Sequence, residues 1–179
     1  MTNESGQKPA LDAETLEYIQ AVFELVRFGD AERLTPLLER GLPPNLLNQK
    51  GDSLLMLACY HGHLDAARAL LEHGADPALY NDQGQTPLQS AVFKGNVAMV
   101  ELLLAHGADV EGKGPDGRTA LMMAAMFNRT NLVDLLLKHG ADLNARDARG
   151  MSALDAARTM GAPETAAQLE ALMREAPER

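Results

Sequence analysis

The sequence His-Gly-Ala-Asp occurs three times in this chain, and successive copies are 33 residues apart. The copies begin at His73, His106 and His139. Recurrence at a fixed period of roughly 20 to 50 residues is typical of a stacked repeat array, in which each unit packs only against its neighbours. The period therefore predicts a solenoid.

Each unit carries the signals of two helices. In the third unit, Thr86 can cap a helix while Pro87 takes its first position, where the missing N–H costs nothing. The first helix ends near a mid-unit glycine such as Gly95, and the second ends at a glycine suited to the left-handed conformation, such as Gly107. The equivalent capping residues are Ser53, Thr119 and Ser152. The first helices also share a row of small residues that allows close packing, namely Ala58, Ala91, Ala124 and Ala157.

These signals divide the chain into a series of units. We predict a disordered tail at 1–10, an irregular N-terminal capping unit at 11–50, units at 51–83, 84–116 and 117–149, a C-terminal capping unit at 150–175, and a tail at 176–179. Residues 11–175 would form a single domain. The second helix of the last unit contains Thr165, Gln168 and Glu170, a polarity expected of a solubilising end cap. Turn-rich segments between units predict hairpin-like loops rather than strands of a sheet.

The third unit resembles an ankyrin repeat. The resemblance rests on Thr86-Pro87-Leu88-Gln89-Ser90-Ala91, on Gly95-Asn96 and on the segment 100–109, and it extends over about 18–172. It implies an all-α, ankyrin-type solenoid of helix-turn-helix units joined by hairpin-like loops. It also implies a non-enzymatic module that binds another protein in a concave groove, as an adaptor, a regulator, or an inhibitor or immunity protein.

Two features depart from the ankyrin pattern. Other residues replace the histidine that the family favours after Thr-Pro-Leu, and that histidine normally makes hydrogen bonds between units. The replacements are Met56, Gln89, Met122 and Asp155. Asn128 also replaces a mid-unit glycine, which requires asparagine to adopt an unusual backbone conformation.

Composition excludes several classes of partner. The 25 acidic and 16 basic residues give a net charge of -9, which disfavours nucleic acid and anionic membrane surfaces. Residues 1–10 contain no apolar run of signal-peptide length, and no window approaches the roughly 18 apolar residues of a membrane span. Cys59 alone provides no disulfide framework. We therefore expect a cytoplasmic protein that binds neither nucleic acid nor membrane.

Residues with metal-binding or catalytic side chains do not form a convincing site. Cys59, His61 and His63, with Asp65 nearby, could suggest a metal, but residues two apart point to different sides of a helix. We expect a core thiol, two ordinary histidines and no metal or cofactor. A hydrolytic set of His61, Asp52 and Ser53 has no equivalent in other units, and common catalytic motifs are absent from the sequence. A metal-binding or hydrolytic enzyme is a remote alternative.

The repeated His and Asp residues are expected to be structural. His73, His106 and His139 would lie at helix C-termini, where they can interact with the helix dipole or with free carbonyl groups. Asp76, Asp109 and Asp142 would bond nearby backbone N–H groups and shape the loops. Leu143-Asn144-Ala145-Arg146 resembles the loop whose asparagine is hydroxylated in some ankyrin proteins, although Asn144 also fits an ordinary loop position.

The informative positions are the two that precede the mid-unit glycine or its substitute, because in ankyrin arrays they face the groove. We call these residues the inner stripe: Arg27, Phe28, Tyr60, His61, Phe93, Lys94, Met126, Phe127, Thr159 and Met160. Four of the seven Phe and Tyr residues fall on it. Aromatic and methionine side chains are enriched at interface cores, and an exposed apolar stripe is costly unless a partner covers it.

Loop tips would extend the binding surface. The predicted partner-binding residues in the loops are Lys50, Asp52, Gln83, Gln85, Asp116, Arg118, Arg149 and Met151, and those in the inner stripe are Phe28, Tyr60, His61, Phe93, Lys94, Met126, Phe127 and Met160. Two alternatives stay open: the stripe packs within the array, or a second copy covers it in a structural or self-assembling role. We expect a monomer unless the stripe self-associates.

Overall fold

A computed structural model describes residues 11–176, and over that range the chain forms ten α-helices. They are α1 Ala13–Phe28, α2 Ala31–Glu39, α3 Leu54–His61, α4 Leu64–Glu72, α5 Pro87–Lys94, α6 Val97–Ala105, α7 Ala120–Met126, α8 Thr130–Lys138, α9 Ala153–Met160 and α10 Pro163–Glu175. Within the described range no strand forms, and one isolated antiparallel bridge joins Leu47 to Ser53. The all-α prediction is confirmed. The expected tail at 1–10 and residues 177–179 lie outside the described residues.

The helices form two layers. The odd-numbered helices pack side by side along the chain, and each also packs against the even-numbered helix that follows it. Between the layers lies a continuous apolar core that includes Leu34, Leu70, Leu103 and Leu136, all of them fully buried. The predicted row Ala58, Ala91, Ala124 and Ala157 has no exposed surface. Small side chains at this row let the odd-numbered helices approach closely, as the sequence predicts.

Side-chain caps start the helices of the first layer. Ser53, Thr86, Thr119 and Ser152 each accept a hydrogen bond from the backbone N–H three residues later, at 3.0 to 3.3 Å. The caps predicted from the sequence are therefore confirmed. All four capping residues are buried, so the N–H groups that they satisfy have no access to water.

The hydrogen bond between units does not require histidine. The Gln89 side-chain amide donates to the backbone oxygen of Arg118 in the next unit, and its oxygen accepts from the N–H of Thr86. The hydrogen bond between units is therefore kept at Gln89 without the family histidine. At the preceding equivalent position, the sulfur of Met56 accepts from the Ser90 hydroxyl. The glutamine side chain supplies both a hydrogen-bond donor and an acceptor, which explains how it replaces the imidazole ring of the family histidine.

The loops between units, which we call fingers, span 43–52, 76–85, 109–118 and 142–151. The second finger closes as a hairpin-like turn in which the Asn81 N–H donates to Gln85 O at 3.0 Å. Neighbouring fingers are also linked, since the Asp82 N–H donates to Lys50 O at 3.1 Å. At Gly114 the backbone approaches Gly84 so closely that an added Cβ would lie 2.2 Å from its oxygen. This close approach excludes every residue other than glycine at position 114.

His73 and His106 and the three repeated Asp residues have the expected structural contacts. The Nδ1 atoms of His73 and His106 lie 2.7 and 2.9 Å from backbone oxygens one turn earlier. Asp76, Asp109 and Asp142 each accept from the N–H two residues later, at 2.9 Å. These residues end the second helices and shape the fingers, as predicted.

Asn128 links the last two units. Its φ is 56°, the left-handed conformation expected at a mid-unit glycine position. The N-cap of α10 is Ala162, which has no side-chain acceptor. The side-chain oxygen of Asn128 accepts instead from the N–H groups of Glu164 and Thr165, both at 3.1 Å. Asparagine therefore caps the helix of the next unit, which glycine at this position could not do.

The C-terminal unit differs from its predicted form at Thr165. This residue, expected on a solvated cap, is fully buried, and its hydroxyl donates to Ala125 O at 2.7 Å. Gln168 is half-buried and donates to Thr130 O at 3.1 Å. Glu170 pairs with Arg158 at 2.7 Å. The polar residues of α10 therefore form hydrogen bonds to the preceding unit as well as making the end of the array hydrophilic.

We predict that Asn128→Ala lowers the free energy of unfolding by about 2 kcal/mol. About 1 kcal/mol comes from the lost cap and about 1 kcal/mol from a left-handed alanine. Asn128→Gly should cost less, because glycine accepts this backbone conformation but still lacks the cap. Urea denaturation of both variants measures the difference. A glycine variant as unstable as the alanine variant would contradict this account.

Candidate binding groove

A groove of about 1200 Å³ lies over the first units of the array, between α1, α3 and the first two fingers. Its floor includes Tyr60 and His61 of α3, and one wall is formed by α1. The opposite side consists of the first two fingers, from which Lys50, Asp52, Gln83 and Gln85 contribute. The structure thus brings inner-stripe residues and finger residues from separate units to one surface.

The inner stripe divides into exposed and half-buried residues. Phe28, Tyr60, Phe93 and Met160 are 75%, 43%, 37% and 52% exposed. His61 and Lys94 are exposed as well. Met126 and Phe127 are half-buried and pack against the core, so the alternative of packing within the array holds in part for this pair.

Side chains of the inner stripe contact one another across unit boundaries. The rings of Phe93 and Phe127 meet edge to face, with centroids 4.9 Å apart. The Lys94 Nζ lies 4.1 Å from the centroid of the Tyr60 ring. Such aromatic and cation–π contacts are each worth about 0.5–1 kcal/mol at exposed sites. The stripe is therefore arranged before any partner binds.

Basic side chains gather around His61, which lies on the floor of the groove. The His63 Nε2 lies 2.8 Å from Arg27 O, and the rings of His61 and His63 stack with centroids 6.0 Å apart. Partial burial lowers the pKa of His61 below 6.5, and the nearby cationic groups of His63, Arg27 and Lys94 lower that pKa further. Burial and the neighbouring cationic groups therefore both disfavour protonation of the His61 ring.

The predicted finger residues serve two different roles. Lys50, Gln83 and Arg149 are exposed and available to a partner. Asp52 is half-buried and accepts from the side chains of Asn48 and Asn81 at 3.2 and 2.8 Å. Similarly, Asp116 accepts from the backbone N–H of Arg118 at 3.1 Å. The two carboxylates therefore hold the fingers in shape. Gln85, Arg118 and Met151 are half-buried.

Comparison with known protein families agrees with this geometry. A family model for ankyrin repeats, in three copies, matches residues 21–114, and a model for the single ankyrin repeat matches 116–148. The chain belongs to the ankyrin repeat family. It is also 59% identical over 61 residues to a Pseudomonas aeruginosa protein named "Putative ankyrin repeat protein PA3287". That match covers 34% of this chain and only 36% of the relative.

Some groove residues of this ankyrin repeat protein were not predicted from the sequence. Leu16 and Ile19 line the groove from α1, which has 16 residues whereas α3 has 8, and Leu11 lines it from just before α1. Leu47 also lines the groove and is 51% exposed. Tyr80, one period later in the second finger, has the same exposed fraction but does not line the groove. The available signal was the extension of α1 beyond the ankyrin period, together with an apolar residue in the same place of two fingers.

Other candidate chemistry has a structural explanation or no geometric support. Cys59 is fully buried, and burial raises the pKa of its thiol far above the usual range, so the predicted core thiol is confirmed. Residues 11–176 contain no group of three or more His, Cys, Asp and Glu side chains placed to hold a metal ion. Over the same residues, every helix is too short or too polar to cross a membrane.

We predict that two phenylalanines of the inner stripe contribute unequally to stability. Phe127→Ala should lower the free energy of unfolding by about 2 kcal/mol, roughly half the cost at a fully buried phenylalanine. Phe28→Ala should change it by less than about 0.5 kcal/mol, because this ring is mostly exposed. Thermal and urea unfolding measure both values. Equal losses would contradict the division of the stripe described above.

We also predict that the His61 ring titrates below pH 6.5. Lys94→Gln should raise this pKa by removing one cation, while partial burial should still hold it below 6.5. Arg68→Gln, on exposed α4 surface, is the matched control and should leave the value unchanged. Proton NMR of the ring measures the titration. A pKa at or above 6.5 in the unsubstituted protein would refute the prediction.

Proposed function

We propose that this protein binds another protein in its groove, with the inner stripe as anchor and the fingers as the selective rim. Ankyrin repeats are generally protein–protein interaction modules, and the family is typically non-enzymatic. The binding would be mechanical, in an adaptor, regulator or inhibitor, and no reaction is required of the groove residues. A cytoplasmic location stays a prediction.

The observation that carries this proposal is the exposure of Phe28, Tyr60, Phe93 and Met160 along one layer. Large apolar side chains in a continuous stripe are unfavourable in water and gain free energy when a partner covers them. Tyr60 and Phe93 are already held by Lys94 and Phe127. A partner would therefore pay little entropy to order them, which favours affinity.

The fingers and the remaining groove residues would determine which partner fits. Lys50, Gln83 and Arg149 offer exposed charges and amide groups beside the apolar stripe. Asp52 and Asp116 act indirectly, since they hold the finger shape. His61, Gln85, Arg118, Met126, Phe127 and Met151 complete the proposed contact surface.

The test compares affinity capture from a lysate of the source organism by three tagged baits. These are the unsubstituted protein, Phe93→Arg and the matched control Ala105→Arg, which places the same charge on exposed α6 surface. We expect a protein that the first and third baits retain and Phe93→Arg loses, because arginine breaks the apolar stripe. Circular dichroism confirms that each bait is folded.

Two results would contradict the proposal. If all three baits retain the same proteins, or none retains any, the inner stripe does not recognise a partner protein. If sedimentation at micromolar concentration gives a dimer that Phe93→Arg alone dissociates, the stripe instead joins two copies of this chain.

A further inference from the structure

Helix α1 has a third face, distinct from the face in the core and from the face along the groove. Val22 and Val26 lie in the core, and Gln20 and Arg27 line the groove. The third face, which we call the end face, consists of Tyr18, Ala21, Leu25 and Phe28. These residues recur at intervals of three and four, the spacing that places side chains along one side of a helix.

The end face is apolar and open to solvent. Tyr18 and Phe28 are 48% and 75% exposed. Ala21 is exposed and Leu25 is half-buried, and neither belongs to the core or to the lining of the groove. Phe28 is also a member of the inner stripe, but it too lies outside the groove lining. The end face is therefore a second apolar surface, separate from the groove.

The equivalent surface of every later unit is covered. One period after Ala21 and Leu25 come Leu54 and Ala58 of α3, and neither has any exposed surface. The same two positions are buried in α5, α7 and α9. Each of these helices packs against the first-layer helix before it, whereas within residues 11–176 no first-layer helix precedes α1. The end face therefore corresponds to a surface of helix–helix packing.

The opposite end of the array is protected by charge. Arg158 of α9 is exposed and pairs with Glu170 of α10 at 2.7 Å. The equivalent residues of α3, α5 and α7 are fully buried, namely Cys59, Val92 and Ala125. A polar outer surface of this kind keeps a terminal repeat soluble. The end face of α1 is apolar instead, so it gains free energy when another molecule covers it.

The second layer of the first unit disfavours coverage by a further repeat. The Arg33 side chain of α2 is 78% exposed. The equivalent residues of α4, α6 and α8 are buried, namely Ala66, Met99 and Leu132. A repeat stacked on the first unit would bury the Arg33 guanidinium, and burial of a charged group is costly. A single helix lying against α1 avoids this cost.

The charge around the end face is negative. Residues 11–40 contain seven carboxylates and three arginines. Two of these arginines already pair with carboxylates, Arg27 with Glu24 and Arg33 with Asp30. Among the described residues, no salt bridge involves three exposed carboxylates near the face, which are Glu14, Glu17 and Glu32. The local charge therefore has the same sign as the net charge of the chain, -9.

We propose that the end face binds a basic amphipathic helix of a partner protein. Apolar side chains of that helix pack on Tyr18, Leu25 and Phe28, as neighbouring first-layer helices pack on one another. Lysine or arginine side chains beside them lie against Glu14 and Glu17, since opposite charge across an interface selects the partner. The end face is separate from the groove, so this inference does not depend on the proposed function.

The test measures binding of a synthetic helical peptide to the full chain by fluorescence anisotropy. The peptide contains about three heptads, with leucine at positions a and d and lysine at positions e and g. A second peptide carries glutamate in place of each lysine. We expect the lysine peptide to bind at least about tenfold more tightly than the glutamate peptide. The difference should shrink as added salt screens the charges.

Substitutions on the end face locate the bound peptide. Tyr18→Arg should weaken binding of the lysine peptide at least about tenfold, because it removes an apolar contact and adds a like charge. Ala21→Arg, at an exposed position of the same face, is a second variant with the same expected effect. The matched control is Tyr80→Arg, at a tyrosine that is 51% exposed in the second finger, and it should leave binding unchanged. Circular dichroism verifies that each variant is folded.

A charge reversal examines the electrostatic part of the proposal. Glu17→Lys should weaken binding of the lysine peptide at low salt, and the loss should shrink at high salt. Glu101→Lys, on exposed α6 surface, is the matched control and should have no effect. Equal affinity of the lysine and glutamate peptides would overturn the preference for a basic helix.

The remaining outcomes separate the end face from other surfaces. A lysine peptide that does not bind, or that both Tyr18→Arg and Ala21→Arg retain at full affinity, would overturn the proposal. A peptide that Phe93→Arg loses instead would lie in the groove, which overturns this inference and leaves the proposed function intact. A dimer in sedimentation that Tyr18→Arg dissociates would assign the end face to a second copy of this chain.

Discussion

The structure depends on packing between neighbouring units, because no helix pair here can bury its apolar surface alone. The alanine row at Ala58, Ala91, Ala124 and Ala157 allows the close approach on which this packing relies. Close approach in turn buries the ends of the first-layer helices, so their N–H groups need the serine and threonine caps. Packing and hydrogen bonding are therefore satisfied together in each unit, and a change in either disturbs the next unit along the array.

Hydrogen bonds between units supplement the apolar core at two levels. Near the fingers, the Gln89 amide reaches Arg118 O in the following unit. At the mid-unit turn, Asn128 caps α10, and His63 lies against Arg27 O. These bonds fix the orientation of each helix pair relative to its neighbour. The orientation matters for the groove, because the inner stripe is continuous only when successive first-layer helices keep the same face toward the fingers.

The layer of odd-numbered helices presents a surface whose shape is already set by packing between the units. The core uses one face of the first-layer helices, while Phe28, Tyr60, Phe93 and Met160 of the stripe are exposed, and only Met126 and Phe127 also pack against the core. Acidic residues predominate over the whole chain, and Lys94 places one cation 4.1 Å from the centroid of the Tyr60 ring. Apolar and cationic side chains consequently lie side by side on the inner stripe.

The sequence by itself determined the local features: helix limits, the four caps, the left-handed glycines and the conformation of Asn128. Each of these features depends on residues a few positions apart or on the 33-residue period. It can therefore be predicted from the sequence without knowledge of contacts between distant residues. Only the tertiary structure decided how far each groove residue is buried. Phe28 and Phe127 hold equivalent positions, yet the first is exposed at the end of the array, while the second packs against Phe93 and the core. The burial of Thr165, and the groove wall made by the extension of α1, likewise depend on neighbouring units.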